Sequence, residues 1–226
     1  MIPRPFETHV EQAYGRDVLF AVELLDAVTL ERIGRDIVVT AEGLQGKPIV
    51  NKSGFFVWLR EDFTRLEKLT IDPGRLPYEF AELAKTDVQQ PLTTIELSPR
   101  PDYSFPSGMT GLLGTLVEEQ SSQPRVPIAG AEVHLQWLDD LGNVQNAPTK
   151  SHTNDSGDFA AFLRFAPNET PQLDAKGALT VRLRVHRGSD ERGSADLKLP
   201  AGRIAEPSTF PQGKDLLIFA WDELQP

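Results

Sequence analysis

The chain has 226 residues, enough for one large domain or for two of about a hundred residues each. Its 33 acidic and 23 basic residues give a formal charge of −10, which repels nucleic-acid phosphates and anionic membrane surfaces and excludes a nucleic-acid partner. It contains no cysteine, which excludes disulfides, thiolate metal sites and cysteine nucleophiles.

The location of the protein is predicted from its apolar runs. The first eight residues contain no apolar core of the length that a secretory signal needs. The longest apolar run, residues 18–25, is interrupted by Glu23 and is far too short to cross a bilayer. We therefore expect a cytoplasmic protein, or part of a particle assembled in the cytoplasm, without membrane insertion.

Short apolar or alternating runs, bounded by turn residues, predict strands along the whole chain. In the first half they are residues 18–25, 37–41, 55–59, 66–71 and 92–97. In the second half they are residues 112–117, 131–138, 159–165, 179–185, 195–199 and 216–221. The alternation is clearest at residues 131–137. It predicts a half-buried strand with Glu132, His134 and Gln136 facing water.

Helix signals are few. Residues 78–85 could form two helical turns, and Thr8 with Glu11 resembles a capping box for a short N-terminal helix. Neither segment is long enough to organise a fold, so the sequence predicts an all-β protein.

A proline-rich stretch separates the two halves. Three prolines between residues 99 and 108 force a stiff, extended path with few backbone donors. The sequence therefore predicts one module over residues 1–98, a linker over 99–108 and a second module over 109–226. We expect Tyr103 and Phe105 to pack against one or both modules and to fix the angle between them.

A repeated turn motif relates the two halves. The first copy consists of Asn51, Ser53, Gly54 and Phe56, and the second of Asn154, Ser156, Gly157 and Phe159. Asn and Ser favour tight turns, Gly supplies a positive φ, and the Phe is predicted to point inward. The alternative is a calcium loop using Asn154, Ser156 and Asp158. Such loops need more carboxylates and a downstream Glu, so the turn is favoured.

Three segments in the second half carry a family resemblance: residues 111–117, 126–133 with Gly130-Ala131-Glu132-Val133, and 153–159. In this order they resemble the carboxypeptidase regulatory-like domain, a transthyretin-like (prealbumin-like) seven-stranded β-sandwich. In the first half, residues 26–33 are similar to the family's approach to its second strand. Gly34-Arg35-Asp36-Ile37 replaces the Gly-Ala-x-Val step there, so that half resembles a divergent copy.

The resemblance implies a structural or interaction module, because these domains accompany peptidases but carry no peptidase chemistry. Such modules recur in cell-surface proteins and transporters. They also look like modules appended to components of phage-tail-like contractile injection particles, a context that suits an acidic, cysteine-free chain.

The sequence contains no recognisable catalytic or metal-binding motif. The four histidines do not have zinc-peptidase spacing. An iron dioxygenase of prealbumin-like fold would need a closely spaced His pair beside two tyrosines, and that pair is missing. Ser151, His152 and Asp155 have the residue types of a triad, but their adjacency is not evidence for its geometry. We interpret them as loop residues.

Other polar and aromatic residues also have structural interpretations. The acidic pairs Asp139-Asp140 and Asp190-Glu191 are expected in solvated turns, with loose binding of a surface cation as the alternative. Trp58 and Trp137 are predicted to be core residues, and Trp221 to pack at a module edge.

The sequence thus predicts tandem transthyretin-like or immunoglobulin-like β-sandwiches without a catalytic, cofactor or metal site. The favoured function is a non-enzymatic adaptor that contacts other proteins in a larger assembly, such as a phage-tail-like contractile injection particle. The alternative is a module that binds a carbohydrate or another small ligand.

Overall fold

A computed structural model describes residues 18–59, 65–88, 91–119, 124–206 and 217–226. These residues are almost entirely β, with 3-10 turns at Lys85–Asp87 and Trp221–Glu223 and no helix of seven residues or more. The predicted all-β sandwich class is therefore confirmed. No helix in the described ranges is long and apolar enough to cross a membrane. The predicted helix at Thr8 and Glu11 lies outside the described residues.

Strands of the first half form two facing sheets. The strands are β1 (Val18–Asp26), β2 (Val38–Glu42), β3 (Ile49–Val50), β4 (Phe56–Leu59), β5 (Lys68–Asp72), β6 (Ala81–Ala84) and β7 (Leu92–Leu97). One sheet has the order β3-β4-β1-β7 and the other β2-β5-β6. Alternate residues of β1, including Phe20, are fully buried between them, and Phe20 stacks on Trp58 with ring centroids 4.6 Å apart.

Strands of the second half form a separate pair of sheets. The strands are β8 (Thr110–Val117), β9 (Glu132–Leu138), β10 (Val144–Asn146), β11 (Ser151–His152), β12 (Asp158–Leu163), β13 (Ala178–Arg187), β14 (Asp190–Gly193), β15 (Leu197–Pro200), β16 (Ile204–Ala205) and β17 (Ile218–Ala220). The larger sheet has the order β10-β9-β13-β14, with β11 on β9 and β15 on β13. The smaller has the order β12-β8-β16, with β17 also on β8.

The two modules share one pattern of strand pairing. The first strand of each, β1 or β8, pairs antiparallel with the strand after the repeated turn, β4 or β12. It also pairs in parallel with the last strand, β7 or β17. In the opposite sheet β2 pairs with β5, as β9 pairs with β13. Equivalent strands thus occupy equivalent positions in both sandwiches, and the modules differ chiefly in their short extra strands.

The two copies of the turn have the same hydrogen bonds. The side-chain oxygen of Asn51 accepts from the backbone N–H of Ser53 and Phe55, and that of Asn154 from the backbone N–H of Ser156 and Asp158, at 2.9–3.0 Å. The Gly at the fourth position has a φ of 83° in the first copy and 77° in the second. The following Phe56 and Phe159 are 2% and 0% exposed.

The same turn occurs twice more in the second module. The side-chain oxygens of Asp139 and Asp174 accept from backbone N–H groups two and four residues later. Gly142 and Gly177 take the fourth position, both at positive φ. This turn is a general hairpin device of the protein, so the relation between the modules rests more firmly on their common strand pairing.

The helix predicted for residues 78–85 is wrong. Strand β6 (Ala81–Ala84) occupies most of it and pairs antiparallel with β5, and only Lys85–Asp87 forms a short 3-10 turn. Ala, Glu, Leu and Lys favour a helix locally, but β5 offers unpaired backbone groups beside this segment. Strand pairing therefore overrides the local propensity.

The glycine of the repeated turn can be tested with a matched pair of variants. A Cβ at Gly157 would lie 2.4 Å from the carbonyl oxygen of Leu116, whereas one at Gly142 would meet nothing within 4 Å. Both residues have positive φ. We expect Gly142→Ala to lower the free energy of unfolding by about 1 kcal/mol. Gly157→Ala should lower the free energy of unfolding by at least about 2 kcal/mol more, because the contact with the Leu116 carbonyl oxygen adds to the backbone strain. Denaturant unfolding measures both; equal losses would contradict the predicted close contact.

Candidate functional site

A ladder of aromatic rings connects the two modules through the linker. Tyr78 of the first module lies 5.8 Å from Tyr103, Tyr103 lies 4.9 Å from Phe105, and Phe105 lies 6.0 Å from Phe162 of β12, all between ring centroids. Tyr103 and Phe105 also pack on a small buried cluster formed by Ala27, Val28 and Phe162. The linker aromatics therefore contact both sandwiches, and an apolar core continues across the junction.

The buried carboxylate of Asp26 lies at the centre of this junction. Asp26 ends β1, is 5% exposed, and accepts the backbone N–H of Val28 at 2.7 Å. Its other oxygen accepts the hydroxyls of Tyr78 at 3.2 Å and Tyr103 at 2.5 Å. Burial first, and then the adjacent Asp26 carboxylate, raises the pKa of Tyr78 to about 12 and also raises the pKa of Tyr103. Both phenols consequently remain donors at neutral pH.

Polar contacts between the modules surround the ladder. The guanidinium of Arg164 donates to the carbonyl oxygen of Ala27 at 2.7 Å and to both carboxylate oxygens of Glu96 at 3.0 and 3.2 Å. The hydroxyl of Ser98 donates to the carbonyl oxygen of Lys150 at 2.5 Å. These polar contacts add to the apolar junction in restricting rotation of one module against the other.

Glu79 makes a further contact, with His152 of the second module. Its carboxylate accepts the backbone N–H of His152 at 2.7 Å and lies 2.9 Å from the Nδ1 atom of the ring. The hydrogen bond to Glu79 raises the pKa of His152, although burial opposes the shift. The contact therefore favours the protonated imidazole.

No catalytic triad forms from Ser151, His152 and Asp155. The Ser151 hydroxyl donates to the carbonyl oxygen of Ala160 at 2.5 Å, and the His152 ring faces Glu79 of the other module. The nucleophile and base that a triad requires are thus engaged elsewhere. The interpretation of these residues as loop residues is wrong for Ser151 and His152, which form strand β11, whereas Asp155 lies in a turn.

Asp139 and Glu191 are also engaged within the protein, although Asp190-Glu191 lies in strand β14 and not in the expected turn. The carboxylate of Asp139 accepts from the backbone of Leu141 and Asn143 and from the side chains of Asn143 and Gln145. Glu191 pairs with the guanidinium of Arg184. Both carboxylate oxygens of Asp139, and Oε1 of Glu191, therefore already accept hydrogen bonds.

The tryptophans do not form an aromatic platform. Trp58 and Trp137 are 2% and 3% exposed and lie in the two cores. The ring of Trp221 packs against the second core and is covered by the guanidinium of Arg192, whose central carbon lies 4.5 Å from the ring centroid.

A group of histidines lies on the outer face of the larger sheet in the second module. His134 of β9 and His186 of β13 stack with ring centroids 5.5 Å apart and an interplanar angle of 19°. Glu132 lies directly opposite His186 in the paired strands. One potential ligand atom from each of these three residues lies within 4.8 Å of the others. We call these three residues the outer-face cluster.

The expected exposure of His134 is wrong. Its side chain does lie on the face away from the core, but the residue is only 8% exposed. His186 stacks on one side of its ring, and Arg184 of β13 lies directly opposite in the strand pair. The side chain of His186 is 33% exposed.

Sequence motifs do not reveal the outer-face cluster, because its members come from strands far apart in the chain. The alternation at residues 131–137 does place Glu132 and His134 on one face. The missing information is the register of β9 against β13, which brings His186 opposite Glu132. Local spacing contains no trace of that register.

Comparison of the chain with protein-family models, with curated proteins and with solved structures found no match.

The junction can be tested by its tyrosines in alkaline solution. Raised pKa values mean that the folded state prefers the neutral phenols. Their stabilising contribution is therefore complete below the ordinary tyrosine pKa of about 10 and is lost as the pH rises toward about 12. We expect a tyrosinate absorbance titration of the protein to show two late phenols, that is, two tyrosines that ionise only above the ordinary tyrosine pKa, as the fold is lost.

The matched variant is Tyr103→Phe, which keeps the ring but removes one donor to Asp26. One late phenol should disappear from the titration, and the free energy of unfolding at neutral pH should fall by about 1–2 kcal/mol. A variant that still shows two late phenols would contradict the assignment of Tyr103 to the buried junction.

Proposed function

We propose that the chain is a non-enzymatic structural adaptor that presents two β-sandwiches at a fixed mutual angle to other proteins of a larger assembly. The observation that carries this proposal is the continuous junction from Tyr78 through Tyr103 and Phe105 to Phe162, organised around Asp26. A protein that tethers two independent modules needs no such core. A protein that transmits a defined geometry between its partners does.

The contacts around the junction support the same proposal. Arg164 joins the modules by hydrogen bonds to Ala27 and Glu96, and Glu79 reaches across to two atoms of His152. Exposed ion pairs contribute little individually, but several polar contacts beside an apolar core together oppose rotation about it. The junction therefore combines an apolar centre that gives affinity with a polar rim that fixes orientation.

The type of assembly is proposed from the sequence resemblance. The second module resembles the carboxypeptidase regulatory-like domain through Gly130-Ala131-Glu132-Val133 and the turn at residues 153–159. Similar modules occur on phage-tail-like contractile injection particles, so we propose an accessory protein of such a particle. The common strand pairing of the two halves supports reading the first as a divergent copy.

The alternative, a carbohydrate-binding module, has less support. A β-sandwich that binds sugars on a flat surface does so with exposed aromatic rings. Trp58 and Trp137 are buried in the cores, and Arg192 covers Trp221. No specific contact in the described parts of the chain favours this function over the adaptor.

Rigidity of the junction can be measured directly, because the chain contains no native cysteine. Spin labels at Thr40→Cys on β2 and Lys198→Cys on β15, both exposed strand positions, report the distance between the modules. We expect one narrow distance distribution. Phe162→Ala should broaden it and lower the free energy of unfolding by about 3 kcal/mol. Leu141→Ala, at a leucine that is 83% exposed in a turn of the second module, is the control and should leave the distribution narrow.

The adaptor role is then tested in the source cells. The tagged chain should co-sediment with large particles and crosslink to their proteins. Phe162→Ala should reduce this association, whereas Leu141→Ala should keep it. A chain that sediments as a free monomer without crosslinked neighbours would overturn the proposal, as would a broad distance distribution in the unmodified junction.

A further inference from the structure

We propose that the outer-face cluster, Glu132, His134 and His186, binds one divalent transition-metal ion of the zinc class. The ligands would be two imidazole nitrogens and one carboxylate oxygen. This donor set suits zinc, copper, nickel and iron, whereas calcium and magnesium prefer sites made of oxygen alone. The inference is independent of the adaptor function.

The sheet holds the three residues in a suitable arrangement. β9 and β13 are neighbouring inner strands, paired continuously from Glu132 to Trp137. Glu132 lies opposite His186, and His134 is two residues further along β9 on the same face. The backbone of the site is therefore fixed by inter-strand hydrogen bonds. Such pre-organisation lowers the conformational cost of binding.

The distances require only side-chain rotation. One ligand atom from each residue lies within 4.8 Å of the others, whereas the ligands of a tetrahedral zinc ion are about 3.3 Å apart. His186 and Glu132 are partly exposed and have room to turn. Three protein ligands leave one coordination position open to water, a common arrangement for zinc.

The buried Nδ1 atom of His134 is the strongest evidence that this residue is a metal ligand. The residue is 8% exposed, and its Nδ1 atom is buried without a hydrogen-bond partner in the described parts of the protein. A buried polar atom without a partner destabilises a fold by about 1–3 kcal/mol, and an apolar side chain at this position would avoid that cost. Coordination of a metal ion by the ring would explain why a histidine occupies this position.

The ammonium group of Lys150 competes with a metal ion for the carboxylate of Glu132. Its Nζ atom lies 2.7 Å from Oε1 of Glu132, in a pair whose lysine side chain is 54% exposed. A metal ion at Glu132 would repel this ammonium and displace it into solvent. Removing the ammonium should therefore tighten metal binding, an effect that a purely structural Glu132–Lys150 pair does not predict.

The experiment is a titration of the chelator-treated full chain with Zn²⁺ by calorimetry and with Co²⁺ by visible absorption, which reports the coordination geometry. We expect one equivalent with a dissociation constant in the micromolar range or tighter. Zn²⁺ at a hundredfold excess over that constant should raise the melting temperature by about 5 °C.

Three variants separate the cluster from other sites. His186→Asn should weaken binding by about 100-fold or more, and Lys150→Met should tighten it by about 3-fold to 10-fold. Glu42→Gln is the control, because this exposed carboxylate lies on β2 of the first module, outside the cluster; the affinity should stay unchanged. The melting temperature of each variant without metal checks its fold, and the partial exposure of His186 makes its replacement mild.

Several results would overturn the proposal. These are the absence of binding tighter than millimolar, a wild-type affinity in folded His186→Asn, or a loss of binding in Glu42→Gln. Unchanged or weaker binding in Lys150→Met would also contradict it, because Glu132 would then not be a ligand. Failure of these tests leaves the adaptor experiments untouched, since they probe the junction at Phe162.

Discussion

The carboxylate of Asp26 is the interaction on which the junction depends. It lies where β1 ends, opposite the last residue of β7, and therefore at the point where the first module runs into the linker. An ionised group buried at this depth costs several kcal/mol unless donors surround it. The donors here are the backbone of Val28 and the hydroxyls of Tyr78 and Tyr103. Because Tyr103 belongs to the linker, the requirement of one buried charge fixes the path between the modules.

Most strands could be predicted from short-range patterns because their faces differ in polarity. The alternation of β9 and the apolar runs of β1 and β13 indicate their burial directly. Strand β6 could not be predicted in this way, because its residues favour a helix locally and only pairing with β5 makes it a strand. Short strands such as β11 and β16 have too few residues to show a period and are likewise created by their neighbours.

The sites are less predictable than the fold because they depend on residues far apart in sequence. The proline-rich stretch indicated a linker, and its aromatics were expected to pack, but nothing nearby pointed to Asp26 as their common acceptor. His134 was assigned to the correct face with the wrong exposure, since alternation does not say what covers that face. Its cover comes from β13, and so does the third member of the outer-face cluster.

The parallel pairing of each module's first strand with its last sets an order for assembly during synthesis. One edge of β1 has no partner strand until β7 has emerged from the ribosome. The backbone groups on that edge therefore stay unpaired during this stage of synthesis. Once Leu97 has emerged, that sandwich can close while the second is still being translated. Asp26 then remains without Tyr103 and Phe162 nearby until later segments arrive. The junction is therefore the last part of this region to form. The Asp26 carboxylate stays in contact with water until the linker docks on it.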